Sequence, residues 1–218
     1  MPTNIKFTRA EELANAISHL SGAVLAVAGL ILMINKTSVH GNAMHIFATT
    51  VFGVTMIVLY ISSTMTHILP MGRLKDRFFN FDRIAIYFLI AGTYTPLALM
   101  AVGGTMGWVI FGVEWAFALV GTILILAKPG DYDTGVNTYY VVSYAVMGWL
   151  ILIVAGTVIQ VLPVMGWVWI LIGAFCYSLG IVFFTMARFR YHHLVWHLLV
   201  IGGTLSHFFA VFFYVIPD

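Results

Sequence analysis

Charge is what this sequence has least of. Asp, Glu, Lys and Arg make up 8% of its residues against 61% hydrophobic ones, and the mean hydropathy is +1.01. An ordinary soluble domain is about 25% charged, so the scarcity excludes a water-soluble globule and makes lipid the solvent for most of the surface. The formal net charge is only +2, and no run of Lys and Arg interleaved with aromatics is present. That excludes a nucleic-acid partner on electrostatic grounds, and no soluble partner is evident either. Cysteine is nearly absent: a lone Cys176 excludes an intrachain disulfide, and its apolar setting reads as a packing thiol. Low-complexity tracts, repeat periods and long linkers are also missing. Residues 1–218 are therefore expected to form a single transmembrane domain with a short cytoplasmic segment at 1–16. No small-residue cleavage signal follows the first apolar stretch, which reads as a retained helix.

What is present is apolar length. A helix crossing about 30 Å of hydrocarbon needs roughly 20 residues, and polar, Gly and Pro punctuation cuts the chain into seven pieces of that order. They are 17–34, 43–69, 83–102, 106–127, 138–159, 164–187 and 193–215. The reading is an all-α integral membrane protein with short connections. Gly103–Gly104 and Gly202–Gly203 are expected to permit turns or close helix contact.

Lys and Arg in short loops are retained on the cytoplasmic side. Lys6 and Arg9 precede span one, Arg73, Lys75, Arg77 and Arg83 cluster before span three, Lys128 follows span four, and Arg188 and Arg190 precede span seven. Only Lys36 falls on the other side. The bias predicts an N-terminus inside and a C-terminus outside, in a multi-pass protein of the cell membrane. Trp108, Trp167, Trp169, Tyr139, Tyr140 and Tyr191 fit interfacial anchors at the span ends.

Ionisable residues inside spans are costly and point to function. Span two ends with Ser63 and His67, span three opens after Asp82, and span seven opens with His193 and His197. In the predicted orientation all of them share the inner layer. His193 and His197 are spaced i, i+4, which puts both imidazoles on one helix face. His67 completes a three-histidine set, which on a zinc ion leaves one tetrahedral position for water. Asp82 is the natural partner of that water, as base, holder or direct ligand, and Ser63 lies one turn from His67 on the same face. The bland alternatives are helix-to-helix hydrogen bonding for the histidines, pairing with Arg77 or Arg83 for Asp82, and a return bond to a main-chain carbonyl for Ser63. His192 points to another face of the helix. Glu114, in the outer half of span four, reads as a structural hydrogen-bonder or else as part of an ion path.

Ser63-x3-His67, Asp82 and His193-x3-His197, in this order on these spans, resemble the signature of the progestin and adipoQ receptor superfamily and its bacterial hemolysin III branch. Glu12-x2-Asn15-x2-Ser18-His19, the stretch from Ala91 through Gly92, Thr93, Tyr94 and Thr95 to Pro96, Met147-Gly148-Trp149 and Ser206-His207-Phe208 are similar to the bacterial branch. The resemblance implies seven helices with the N-terminus inside, and zinc on His67, His193 and His197 with Asp82 contacting the water. It also draws Glu12, Asn15 and His19 toward the site as supporting residues, with helix-entry capping as their alternative. His207, about 15 Å deeper along its helix at 1.5 Å per residue, is expected to bond another helix or line a lipid-access cavity. No long soluble region of the animal-receptor kind precedes span one, so adiponectin binding is not expected.

The superfamily includes alkaline ceramidases, which makes a zinc-dependent hydrolase of membrane lipid amides the first functional expectation. Its substrate would enter from the bilayer. The alternatives are a non-catalytic membrane sensor or homeostasis factor with structural zinc, and a pore or cytolysin. The last is disfavoured because no span carries a sustained polar stripe.

Overall fold

A computed structural model describes residues 7–132, 137–186 and 189–218. Among these the secondary structure is entirely helical: α1 (Arg9–His40), α2 (Ala43–Ile68), α3 (Arg73–Pro96), α4 (Gly104–Ala127), α5 (Thr138–Trp149), α6 (Ala155–Val161), α7 (Val164–Met186) and α8 (His192–Tyr214). Six helices are long and apolar enough to cross a membrane, or seven if the bent α5–α6 pair counts as one span. Lys6 and Arg188, two of the charges behind the predicted orientation, lie outside the described residues.

Two helices start earlier than hydropathy predicts. α1 begins at Arg9 because Thr8 caps it: the Thr8 hydroxyl accepts from the Glu11 main-chain N–H while the Glu11 carboxylate accepts from the Thr8 N–H. Residues 9–16, expected as an entry segment, are therefore helical. α3 begins at Arg73, ten residues before the predicted 83, so Asp82 sits within the helix and does not open it. Its charged first turns are held by partners. Lys75 is buried against Glu12, and Asn80 exchanges hydrogen bonds with the main chain of Gly130, its amide donating to the carbonyl at 2.6 Å and its oxygen accepting from the N–H at 2.9 Å.

α1 and α8 run parallel. At one end the His197 ring meets Asn15 and Ser18, and at the other Lys36 Nζ donates to the Phe212 carbonyl at 3.0 Å and to Asp218 at 2.7 Å. Parallel first and last helices fit an odd number of crossings, in accord with counting the bent pair as one span. The bend itself is 58°. It falls where a 3-10 turn, Leu150–Val154, interrupts the α-helix. Tyr94 of α3 props that break: its hydroxyl donates toward the Met147 and Gly148 carbonyls and accepts from the Ile151 N–H at 2.7 Å. Pro96, which has no N–H, ends the regular part of α3, and a π-helical turn, Leu97–Val102, carries the chain on.

Close helix contact then sets which ends converge. Gly92 of α3 lies so near α2 that a Cβ there would meet Thr55 Oγ1 at 2.1 Å. The expected turn at Gly103–Gly104 is present, with φ of +65° and +55°. Gly203 meets the Tyr177 ring of α7, as the expectation of close contact requires.

Candidate metal centre

The end of α2 and the start of α8 bring three histidines together. One ligand atom from each of His67, His193 and His197 lies within 4.8 Å of the other two. The ring centroids are 5.0 Å apart for His67 and His197, 5.1 Å for His67 and His193, and 4.6 Å for His193 and His197. His67 and His197 are buried and His193 is half-buried. The expected convergence is what the fold produces.

The register of α8 against α1 is pinned at the entry to α8. Tyr191 caps that helix in the left-handed region at φ 62°, and its main-chain N–H donates to Glu11 Oε1 at 3.0 Å. One turn further along both helices, Ser18 Oγ donates to the Asn15 carbonyl at 2.8 Å. Its oxygen is thereby free to accept from His197 Nδ1 at 3.0 Å, and the Asn15 carbonyl accepts from the same nitrogen at 3.2 Å. A carbonyl only accepts, so the proton of His197 is on Nδ1 and Nε2 keeps its lone pair.

His67 is oriented the same way by a carboxylate. Its Nδ1 donates to Glu12 Oε2 at 2.6 Å, which leaves Nε2 to face the other two rings. The other oxygen of Glu12 accepts from Lys75 Nζ and from the Tyr132 hydroxyl, each at 2.9 Å. A carboxylate behind a histidine fixes the tautomer and raises the basicity of the ligating nitrogen. The donor set fits a divalent ion of borderline softness on this chemistry: three imidazoles, two of them locked in the ligating tautomer. His67, His193 and His197 are therefore close enough to hold a metal ion, and His67 and His197 carry their protons on Nδ1, away from it.

The other expected residues are distributed around the cluster. Asp82 and Ser63 line the same cavity as the three histidines. Asp82 forms no ion pair with Arg77 or Arg83; the described ion pairs are Lys36–Asp218, His67–Glu12 and Lys75–Glu12. Its carboxylate lies beside the Ser62 and Ser63 hydroxyls, and the charge of Arg83 also acts on it. The two serines differ in a telling way. Ser62 gives its proton to the Leu59 carbonyl, as Thr64 and Thr66 do to carbonyls one turn back, whereas Ser63 makes no such return bond. Its hydroxyl is left for Asp82 and the cavity.

His19 stacks on His197 with centroids 3.5 Å apart and planes 13° from parallel. Among the described residues both of its ring nitrogens lack a partner, as do the side-chain nitrogen and oxygen of Asn15, which acts through its main-chain carbonyl. His207 lies away from the cluster: its Nε2 donates to the Ile170 carbonyl of α7 at 3.1 Å, the expected bond to another helix, and it is also among the cavity's lining residues. His192 is not one of the three grouped histidines. Glu114 is buried with no hydrogen-bond partner among the described residues, which overturns the structural hydrogen bond expected of it.

Four residues around the site carry little or no signal in sequence. Phe7 covers the cluster, its ring 5.1 Å from that of His193. Lys75 and Tyr132 hold Glu12, and nothing in a basic loop or a short linker marks them for that role. Ser18 sits inside a recognisable motif but shows its use only when α8 is laid beside it.

The cavity below the cluster has a volume of about 260 Å³ and runs among α2, α3, α5, α7 and α8, mostly between apolar side chains.

Comparison with known proteins agrees with this architecture. The family profile described as Haemolysin-III related matches residues 7–208. Hemolysin-3 of Bacillus cereus is 38% identical over 207 residues, covering 95% of this chain and 93% of the relative. The Hemolysin-3 homolog of Bacillus subtilis (strain 168) is 36% identical over 210 residues, covering 96% and 97%. The human Monocyte to macrophage differentiation factor is 28% identical over 215 residues, covering 94% of this chain and 84% of that protein.

Proposed function

The chain belongs to the Haemolysin-III related family, and on that basis we propose that it is a zinc-dependent hydrolase of membrane lipid amides, lying in the cell membrane with its N-terminus inside. The observation that carries the reading is one cavity within the spans lined by His67, His193 and His197 together with Asp82 and Ser63. A site placed there suits a substrate that arrives from the bilayer, since a water-soluble one has no need of that depth.

His67, His193 and His197 would hold the ion through imidazole nitrogens. Zinc, when bound, supplies Lewis acidity that polarises a carbonyl and lowers the pKa of water toward neutrality. Asp82 accepts the proton of the attacking water and returns it to the amine nitrogen as the C–N bond breaks, giving a fatty acid and a free amine. Ser63, its proton not committed to the main chain, donates to the amide oxygen as negative charge grows there. Glu12, braced by Lys75 and Tyr132, holds the His67 ring in place. The apolar cavity wall takes the acyl chain and keeps bulk water out.

A second reading has an observation of its own. The main chains of α2 and α8 approach each other at few positions, so an ion on His67, His193 and His197 would add a cross-link between them. Zinc would then be structural and the protein a sensor or homeostasis factor responding to lipid.

Elemental analysis of the purified protein and of its His67→Ala and His193→Ala variants, followed by assay against ceramides and other acyl amides, tests both. The hydrolase reading expects stoichiometric zinc lost in each histidine variant, and turnover abolished in Asp82→Asn with zinc retained. Zinc loss without turnover of any amide supports the sensor reading instead.

A further inference from the structure

Arg83 carries a guanidinium that the fold buries without satisfying. It follows Asp82 on α3, is 3% exposed, and lines the same cavity as the histidine cluster. A guanidinium has five N–H donors and keeps its charge at any relevant pH. Among the described residues its guanidinium makes one hydrogen bond, a long one of 3.3 Å from Nη1 to Asn80 Oδ1, and its Nε has no partner. It belongs to none of the described ion pairs. Asp82, its neighbour in the chain, feels its charge but forms no ion pair with it.

What holds the group is aromatic. The Arg83 Cζ lies 4.4 Å from the Tyr140 centroid and 5.3 Å from that of Phe79, and the Tyr144 hydroxyl donates to the Arg83 carbonyl at 2.9 Å. Ring faces stabilise a cation but use none of its N–H donors. They fix the side chain in position while its hydrogen-bonding edge stays largely unused. A buried charge with no hydrogen-bonded counter-ion is costly, and the usual resolution is an anion that takes up its N–H groups. The forked guanidinium matches the two oxygens of a carboxylate or phosphate. Around it the cavity wall is apolar, with Ile86, Ile90, Val141 and Ala145 among its lining residues, as an acyl chain requires.

We propose that Arg83 is the headgroup-recognition residue of this cavity, binding the carboxylate or phosphate of an amphiphile whose acyl chain lies along the apolar wall. Such binding needs no turnover. If the hydrolase reading also holds, on which this step rests, the preferred amide carries a negative charge near the scissile bond, as an N-acyl amino acid does and a neutral ceramide does not.

The test is binding of three palmitoyl amphiphiles to the purified, zinc-loaded protein: N-palmitoylglycine, palmitoyl lysophosphatidic acid and neutral monopalmitoylglycerol. The expected result is a preference of about tenfold or more for at least one anion over the neutral compound. Which anion is preferred separates carboxylate from phosphate. Arg83→Gln removes the preference and leaves the neutral compound bound as before. Should that variant not fold, phenylglyoxal modification of Arg83 in the wild type, read by mass spectrometry, is slowed by the preferred anion and not by monopalmitoylglycerol. Equal binding of all three, a preference that survives Arg83→Gln, or modification that no anion slows overturns the proposal. Anion preference without hydrolysis of any amide leaves Arg83 assigned and removes the hydrolase reading; hydrolysis of ceramide without anion preference does the converse.

Discussion

Glu12 Oε2 lies 2.6 Å from Nδ1 of His67, joining the start of the first helix to the end of the second behind the histidine cluster. The carboxylate has no need to touch a metal in order to govern one. Its other oxygen is occupied by Lys75 and Tyr132, so it cannot swing toward the cluster without breaking both bonds. That makes its effect on ligation separable from ligation itself.

Glu12→Gln is therefore expected to retain zinc but to bind it about 10- to 100-fold more weakly, the usual cost of losing a partner behind a ligating histidine. Competition against a chromophoric chelator measures it. Lys75→Met should have a smaller effect in the same direction, because it loosens Glu12 without removing it. Affinity in Glu12→Gln equal to that of the wild type would show that the contact is only a helix-entry bond.

Ser62 and Ser63 provide an internal control, since both hydroxyls reach toward Asp82 but only Ser62 has given its proton to a main-chain carbonyl. Ser63→Ala is expected to lower amide turnover by about tenfold or more, in line with removal of one donor to a developing oxyanion. Zinc content and thermal midpoint should be unchanged. Ser62→Ala, which removes a return bond of little worth in a helix, should leave turnover within a factor of about two. Equal effects from the two serines would argue that neither faces the reacting atoms.

Much of this architecture is readable from residues alone, and the reasons are local. Apolar run length and the i, i+4 spacing of His193 and His197 depend on neighbouring positions only, so the spans and the cluster could be anticipated. The early start of α3 could not. Hydropathy treats Arg73, Lys75, Asp76 and Arg77 as loop, whereas the helix is tolerated there because Lys75 is buried against Glu12 of another helix. The break between α5 and α6 is hidden for a similar reason: residues 138–159 read as one apolar run, and the groups that let it bend belong to Tyr94 on α3. Glu114 is the opposite case: its place in an apolar span predicts a structural hydrogen bond, and the described neighbours supply none.

Gly92 tests how tightly the site depends on helix spacing. A Cβ at that position would meet Thr55 Oγ1 at 2.1 Å, Cβ at 2.9 Å and Cγ2 at 3.0 Å, so α2 and α3 must part to admit it. Overpacking of this kind costs about 1–3 kcal/mol, and Gly92→Ala should lower the thermal midpoint accordingly. The geometric consequence is more specific than the energetic one. α2 carries Ser63 and His67 while α3 carries Asp82 and Arg83, so separating the two helices moves the base away from the cluster without altering a single polar side chain. Turnover should therefore fall more steeply than zinc content, which depends on α2 and α8. Thr55→Ala removes two of the three clashing atoms and should restore part of both stability and turnover in the double variant. Recovery of stability without recovery of turnover would mean that the spacing of α2 and α3 matters to the fold but not to the chemistry.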